Sequence, residues 1–244
     1  MACCHHAHRD EASAFTLANR ILTHVPDRER AALLAEAEYA VLPAGQTLAR
    51  PGDAVTTVYF PVSGVIAWIS EMATGHHVAV ASVGAEGVVG ISHVLAIPRH
   101  PHRVVALLES AGYRLPVDAL SRAFEEFEIF RAAVLTHIGQ QLIEVASLVA
   151  CSRVHSHRQR LARWILTMTD KADEQSLPLT HDVLAQIVGG PRHAVTVALN
   201  ELRAKGAIAH LRGRVDVVNR SVLIAHACEC YGQQQNLIRS TGSD

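Results

Sequence analysis

The chain has 244 residues, 49% of them hydrophobic and 18% charged, with 22 Lys+Arg against 23 Asp+Glu and a formal net charge of -1. That is enough apolar material for one large core or two ordinary ones, and it excludes a disordered chain. No apolar run reaches the roughly 18 residues of a membrane span. The first ten residues lack the apolar centre of a signal peptide, so a cytoplasmic protein with no membrane partner is expected.

The charge is unevenly spread. Residues 1–151 hold 10 Lys+Arg and 15 Asp+Glu, whereas residues 152–220 hold 11 and 6. A basic block on an acidic body points to a module with its own anionic partner. In chain order, a tail over 1–17 overlaps a short helix predicted within 12–24, and an Ala/Leu/Glu-rich helix follows over 29–38. From 40 to 115 the pattern changes to short β-branched runs, Val55–Pro61, Val65–Ser70, His77–Val83 and Arg103–Leu108. They are separated by turn residues at Pro51-Gly52-Asp53, Ser63-Gly64, Thr74-Gly75 and Gly84 to Gly90. Such spacing predicts a small antiparallel roll.

The helical period returns from about 119 to 155. Val134, Ile138, Leu142, Val145 and Val149 form one apolar stripe at near-heptad steps. The stripe predicts a parallel partner helix, hence a homodimer, with packing inside the chain as the alternative. Ser156-His157-Arg158-Gln159 has the form of a capping box and opens a new helix over 157–170, whose apolar face is Leu161, Trp164, Ile165 and Met168. The charge sign changes here, and the domain boundary is placed here.

Residues 179–219 carry the most information. Thr180 reads as an N-cap, Gly189-Gly190 as a stop, and Pro191 as the first residue of a helix running to Lys205, closed by Gly206. Two helices about a tight glycine turn suggest a helix-turn-helix. Ala185, Gly189 and Val195 supply the small residue, the positive-φ residue and the apolar plug that such a crossing needs. Val195, Leu199 and Leu202 then face inward, leaving Arg192, His193, Thr196, Val197 and Asn200 to face a groove. Ala207–Leu211 and Val215–Val218, joined by Arg212-Gly213-Arg214, read as a wing with arginines at its tip. A β-roll, a long helix, a capped break and a winged helix-turn-helix in a basic block together predict a DNA-binding protein of the α+β class.

This order resembles the Crp/Fnr family of bacterial transcription regulators over about residues 18–220. The strongest stretches are Arg160–Leu166 leading into Leu179–Gly206, and Pro51-Gly52-Asp53 through Val58–Gly64. The resemblance implies a sensor roll (18–118), a dimerisation helix (119–155), a DNA-binding domain (156–222) and a C-terminal tail (223–244). It also implies a near-palindromic site, contact with RNA polymerase, and no enzymatic activity. Arg192 matches the family arginine that reads guanine, consistent with the fork of O6 and N7. His193 stands where Glu is frequent and Val197 where Arg is frequent, so a different half-site is expected. Thr180, His181, Arg212 and Arg214 are the expected phosphate contacts.

The effector is not legible. Cyclic-nucleotide members carry a Gly-Glu pair that holds the ribose; here the pair is Gly90-Ile91, Arg103 is followed by Val104, and Val145-Ala146 replace a Thr-Ser pair on the long helix. These departures argue against cyclic AMP. Cys3 and Cys4 are adjacent and the roll has no cysteine, unlike the family's iron–sulfur sensors. No cofactor or metal is predicted, although haem stays open through His76, His77, His93, His100 and His102. Metal also stays open through Cys3, Cys4, His5, His6 and His8. Cys228 and Cys230 read as exposed tail residues, with a redox pair or metal arm as the alternative, and Cys151 as a buried, inert thiol. Two other readings compete. One is a nucleotide-binding module acting through protein contacts. The other is a metal-holding roll using His100-Pro101-His102, against which Pro101 in a central strand counts.

Overall fold

The computed structural model describes residues 19–211 and 213–241. Two short helices, α1 (Arg20–His24) and α2 (Asp27–Ala35), lead into strands β1 (Glu38–Leu42), β2 (Thr47–Ala49), β3 (Thr57–Ser63), β4 (Ile66–Glu71) and β5 (His77–Val83). After a 3-10 turn at Ile91–Leu95 come β6 (Arg103–Ala106) and β7 (Ser110–Pro116). One sheet has the order β1-β7-β3 and the other β2-β6-β4-β5. The predicted roll is therefore present, but β1, β2 and β7 were not read from the sequence. β7 contains Gly112 and ends at Pro116, which mimics a loop, yet it is the central strand of its sheet. The helix predicted over 29–38 ends at Ala35, because Glu38 already pairs with Arg114 in the β1–β7 ladder.

The predicted helix over 119–155 is two helices, α3 (Val117–Glu126) and α4 (Glu128–Val154), divided at Phe127, whose backbone is extended. A free amide in the first turn of the new helix is satisfied from a remote element: Phe130 N–H donates to the Glu29 carboxylate of α2 at 3.2 Å. Phe130 and Val134 enter the core of the roll with Leu22, Val58, Phe60, Leu115 and Leu120. The apolar stripe therefore does not serve one partner. Its first part, Val134 and Ile138, packs inside the chain, while Leu142 and Val149 are 70% and 61% exposed. By length and composition α4 is apolar enough to cross a membrane, although its apolar residues are interspersed with polar ones rather than forming one run.

The chain divides into two compact units, one running to Ala67 with Val83–Ile138, the other comprising Trp68–Ser82 with Gly139 onward. The division falls within α4 rather than at Ser156, and the β4–β5 turn groups with the second unit. In that second unit α5 (His157–Ala172) starts at the predicted capping box. Ser156 Oγ accepts from Gln159 N–H, and Ser156 N–H donates to Gln159 Oε1 at 3.1 Å. Its Leu161, Ile165, Leu166 and Met168 are fully buried. Around it lie β8 (Ser176–Leu177), α6 (His181–Val188), α7 (Arg192–Ala204), β9 (Ile208–Leu211), β10 (Arg214–Val217), α8 (Arg220–His226) and α9 (Cys230–Thr241).

Residues 223–241 are thus helical and packed rather than a tail. Asp170 on α5 gathers Arg220, the Tyr231 hydroxyl at 2.7 Å and Gln235 Nε2 at 2.7 Å. Leu223 and Tyr231 are buried beside them.

Candidate nucleic-acid interface

The paired helices α6 and α7 are built as the sequence requires. Thr180 caps α6 by accepting from Val183 N–H at 3.3 Å. Gly189 ends it with φ +67°, a left-handed conformation that a side chain resists, and donates to Ala185 O at 3.0 Å. Pro191 is one residue outside the helix rather than its first residue. Its ψ of 144° is extended, so α7 begins at Arg192 and ends at Ala204, short of Lys205. Val195, Leu199 and Leu202 are buried as expected and hold α7 against the unit's core.

Arg192, His193, Val197 and Asn200 are exposed on the opposite face of α7. Arg192 pairs with Asp182 of α6 at 3.0 Å, both side chains being mostly exposed. An exposed pair of this kind is weak and leaves the guanidinium exchangeable. Thr196 is half-buried and otherwise engaged. Its hydroxyl donates to Arg192 O at 3.0 Å and lies 3.1 Å from His181 Nδ1. His181 in turn packs against His210 of β9, with ring centroids 4.5 Å apart and the rings tilted by 46°. Thr196 and His181, predicted to touch base and phosphate, join α6, α7 and the wing within the chain. Burial lowers the pKa of His210, and the neighbouring His181 and Arg203 lower it further.

The wing is a β8-β10-β9 sheet, whose third strand, β8, the sequence did not reveal. Arg214 faces Leu211 across the turn and reaches Asp216 at 2.8 Å. Ser176 and then Arg214 hold the Asp216 carboxyl below its usual range. Arg212 lies outside the described residues, as do Cys3, Cys4, His5, His6 and His8. The basic excess is partly spent inside the fold. Arg163 is buried, Lys171 pairs with Glu144 at 3.2 Å, Arg158 with Glu201 at 3.3 Å, and Arg220 with Asp170. Arg203 and Lys205 remain exposed at the end of α7.

In the roll, the loop from Gly84 to Gly90 is held by its own chain. Asn19, fully buried, donates to Pro61 O at 2.8 Å and Gly87 O at 2.9 Å. Val88 N–H donates to Nε2 of the buried His137 at 3.3 Å. Gly90 is buried with φ +92° and leads into the 3-10 turn, and Arg103 is half-buried at the start of β6. Val145 and Ala146 belong to the other compact unit, so the four predicted effector residues are not gathered in one of them. His100 is buried and its pKa lowered, chiefly by desolvation, against an opposing pull from Asp53.

Cys151 is buried as the sequence suggests, but Cys228 and Cys230 do not lie on an exposed tail. Cys151 and Cys228 are buried 3.6 Å apart, and Cys230 and His155 join them. Cys151 is pushed down to about 5 by the hydrogen bond from Cys228, and Cys228 is pushed up by the same bond. The 77-residue separation of Cys151 from Cys228 hid this from the sequence.

Residues 159–225 match the Crp-like helix-turn-helix domain and residues 40–127 match the cyclic nucleotide-binding domain. The chain is 23% identical over 184 residues to the global nitrogen regulator of Synechococcus elongatus, covering 72% of this chain and 83% of that protein. Its fold is similar to that of a CRP-family transcriptional regulator from Thermus thermophilus, TTHB099. The TM-score is 0.66 at 20% identity, covering 77% of this chain and 96% of that one. It is also similar to the c-di-GMP-responsive global regulator CLP of Xanthomonas campestris, with a TM-score of 0.67 at 16% identity, covering 80% and 100%.

Proposed function

We propose that this chain, which belongs to the Crp/Fnr family of transcription regulators, binds a near-palindromic DNA site as a homodimer through α7 and the wing. The observation that carries this is the outer face of α7. Arg192, His193, Val197 and Asn200 stand exposed on a helix whose opposite face is locked into a core. In a major groove, Arg192 exchanges Asp182 for the O6 and N7 of a guanine, while Val197 offers only apolar contact, such as to a thymine methyl. Thr180, Arg214 and Arg212 are phosphate contacts, and His181 contributes mainly by positioning α6 on α7. Two copies present two such helices to successive grooves, and RNA polymerase is the further partner.

The dimer seam is the exposed side of α4. Leu135, Leu142 and Val149 recur at steps of seven, each preceded three residues earlier by Ala132, Gly139 and Ala146, small residues that let two helices approach closely. The loop at Gly84–Gly90, already occupied by Asn19 and His137, favours control by something other than cyclic AMP. Selection of bound duplexes from a random pool tests the reading. The expected result is a two-fold symmetric consensus, with guanine preference lost in Arg192→Ala. Failure to enrich any sequence would favour the alternative of a module acting through protein contacts.

A further inference from the structure

At the end of α4, Cys151 and His155 lie one turn apart on the same face, with His155 N–H donating to Cys151 O at 3.1 Å. Opposite them, the junction of α8 and α9 supplies Cys228 and Cys230. The four donor atoms, three sulfurs and one imidazole nitrogen, all lie within 4.8 Å of one another. Cys151 and Cys228 are 1% and 3% exposed. Their sulfurs are 3.6 Å apart, well beyond the roughly 2.05 Å of a disulfide. A tetrahedral ion with Zn–S bonds of about 2.3 Å spaces its sulfurs by about 3.8 Å. Cys230 Sγ lies 3.8 Å from His155 Nδ1.

The surroundings are those of a metal site as well. His155 turns Nδ1 toward the sulfurs and Nε2 toward Glu229, to which it donates at 3.1 Å. A carboxylate on the far nitrogen fixes the tautomer and aims the ring at an ion. The buried Arg163 lines the clefts beside both Cys151 and Cys230, and its Nε has no hydrogen-bond partner among the described residues. Three thiolates and one divalent ion carry a net charge of -1, which a buried guanidinium can balance.

We propose that Cys151, His155, Cys228 and Cys230 bind one zinc ion in a closed tetrahedral site that fastens the α8–α9 junction to the end of α4. Three thiolates with one imidazole suit zinc. A donor set this compact encloses a single ion, whereas an iron–sulfur cluster needs its thiolates spread around a larger body. On binding, the three cysteines ligate as thiolates, any proton they still carry passing to solvent, and four bonds to the metal form, with no change of oxidation state. Because the site is closed, its role is to hold the fold rather than to activate water.

The test uses the full chain, purified reduced and without chelator, with metal content measured by mass spectrometry. About one zinc per chain is expected, retained when Cys3 and Cys4 are changed to serine and lost in the Cys228→Ser, Cys230→Ser double variant. Replacement by cobalt should give thiolate-to-cobalt charge transfer and tetrahedral visible bands, with the charge transfer falling by about a third in Cys151→Ser. Alkylation of the unaltered chain removes any dependence on variants that misfold. Zinc should block Cys151, Cys228 and Cys230 together, and a chelator should release them together. Zinc that follows Cys3 and Cys4 would overturn the proposal. So would a reduced chain that takes up neither zinc nor cobalt, or alkylation of the three cysteines that is indifferent to chelator.

Discussion

At the scale of single residues, close approach sets the sharpest constraints. Gly87 lies under the imidazole of the buried His137, and a Cβ there would stand 2.0 Å from its Cε1. His137 cannot swing away cheaply, because its Nε2 accepts the Val88 amide. Gly87→Ala should therefore destabilise the roll by about 1–3 kcal/mol, the usual cost of overpacking a core, which thermal unfolding would register as a lowered midpoint. Unchanged unfolding would mean the loop is not clamped as described. Val195, Leu199 and Leu202 were legible in the sequence because a helical period of apolar residues has few other meanings. His137 and His155 were not, because a histidine's role depends on what faces it. His137 meets Val88, and His155 meets Glu229 and Cys230, from remote parts of the chain.

At the scale of elements, the helix-turn-helix and capping box were legible because their signals are local, made by side chains within four residues of the amides they satisfy. Strands β1, β7 and β8 depend on neighbours far along the chain, so nothing local announced them. The contact of His181 with His210 ties α6 to the wing and brings a pH dependence. Burial, His181 and Arg203 all disfavour the charged form of His210, placing its folded pKa below the ordinary 6.5. In the window below 6.5 the unfolded chain then binds more protons than the folded one, so stability rises with pH there. As pH falls from 7 through 6.5, the winged unit should lose stability, and His210→Gln should lose less over the same range. Chemical denaturation at several pH values, comparing the two proteins, is the measurement. Equal slopes would remove His210 as the cause.

For the whole molecule, the net charge of -1 conceals the imbalance that matters, and part of the basic excess is internal to the fold. On the proposed reading, DNA affinity then rests on specific contacts more than on bulk charge, and two copies of α7 act together. The proposed dimer seam is the line Leu135, Leu142 and Val149, where Leu142, at 70% exposed, has the most to gain from a partner. Leu142→Asp sets two like charges opposite one another at the centre of a parallel pair, while disturbing no described core. It should yield a monomer by sedimentation, with unfolding of the individual units little changed. Its affinity for a two-half-site duplex should fall by two orders of magnitude or more, since the second half-site no longer benefits from being tethered, an avidity factor of about 100 to 10,000. The unaltered dimer should show a log–log salt slope of about 0.9 per neutralised phosphate, and the monomer about half that slope. A variant that remains dimeric, or a monomer that binds the full site as tightly and with the same slope, would rule out this seam.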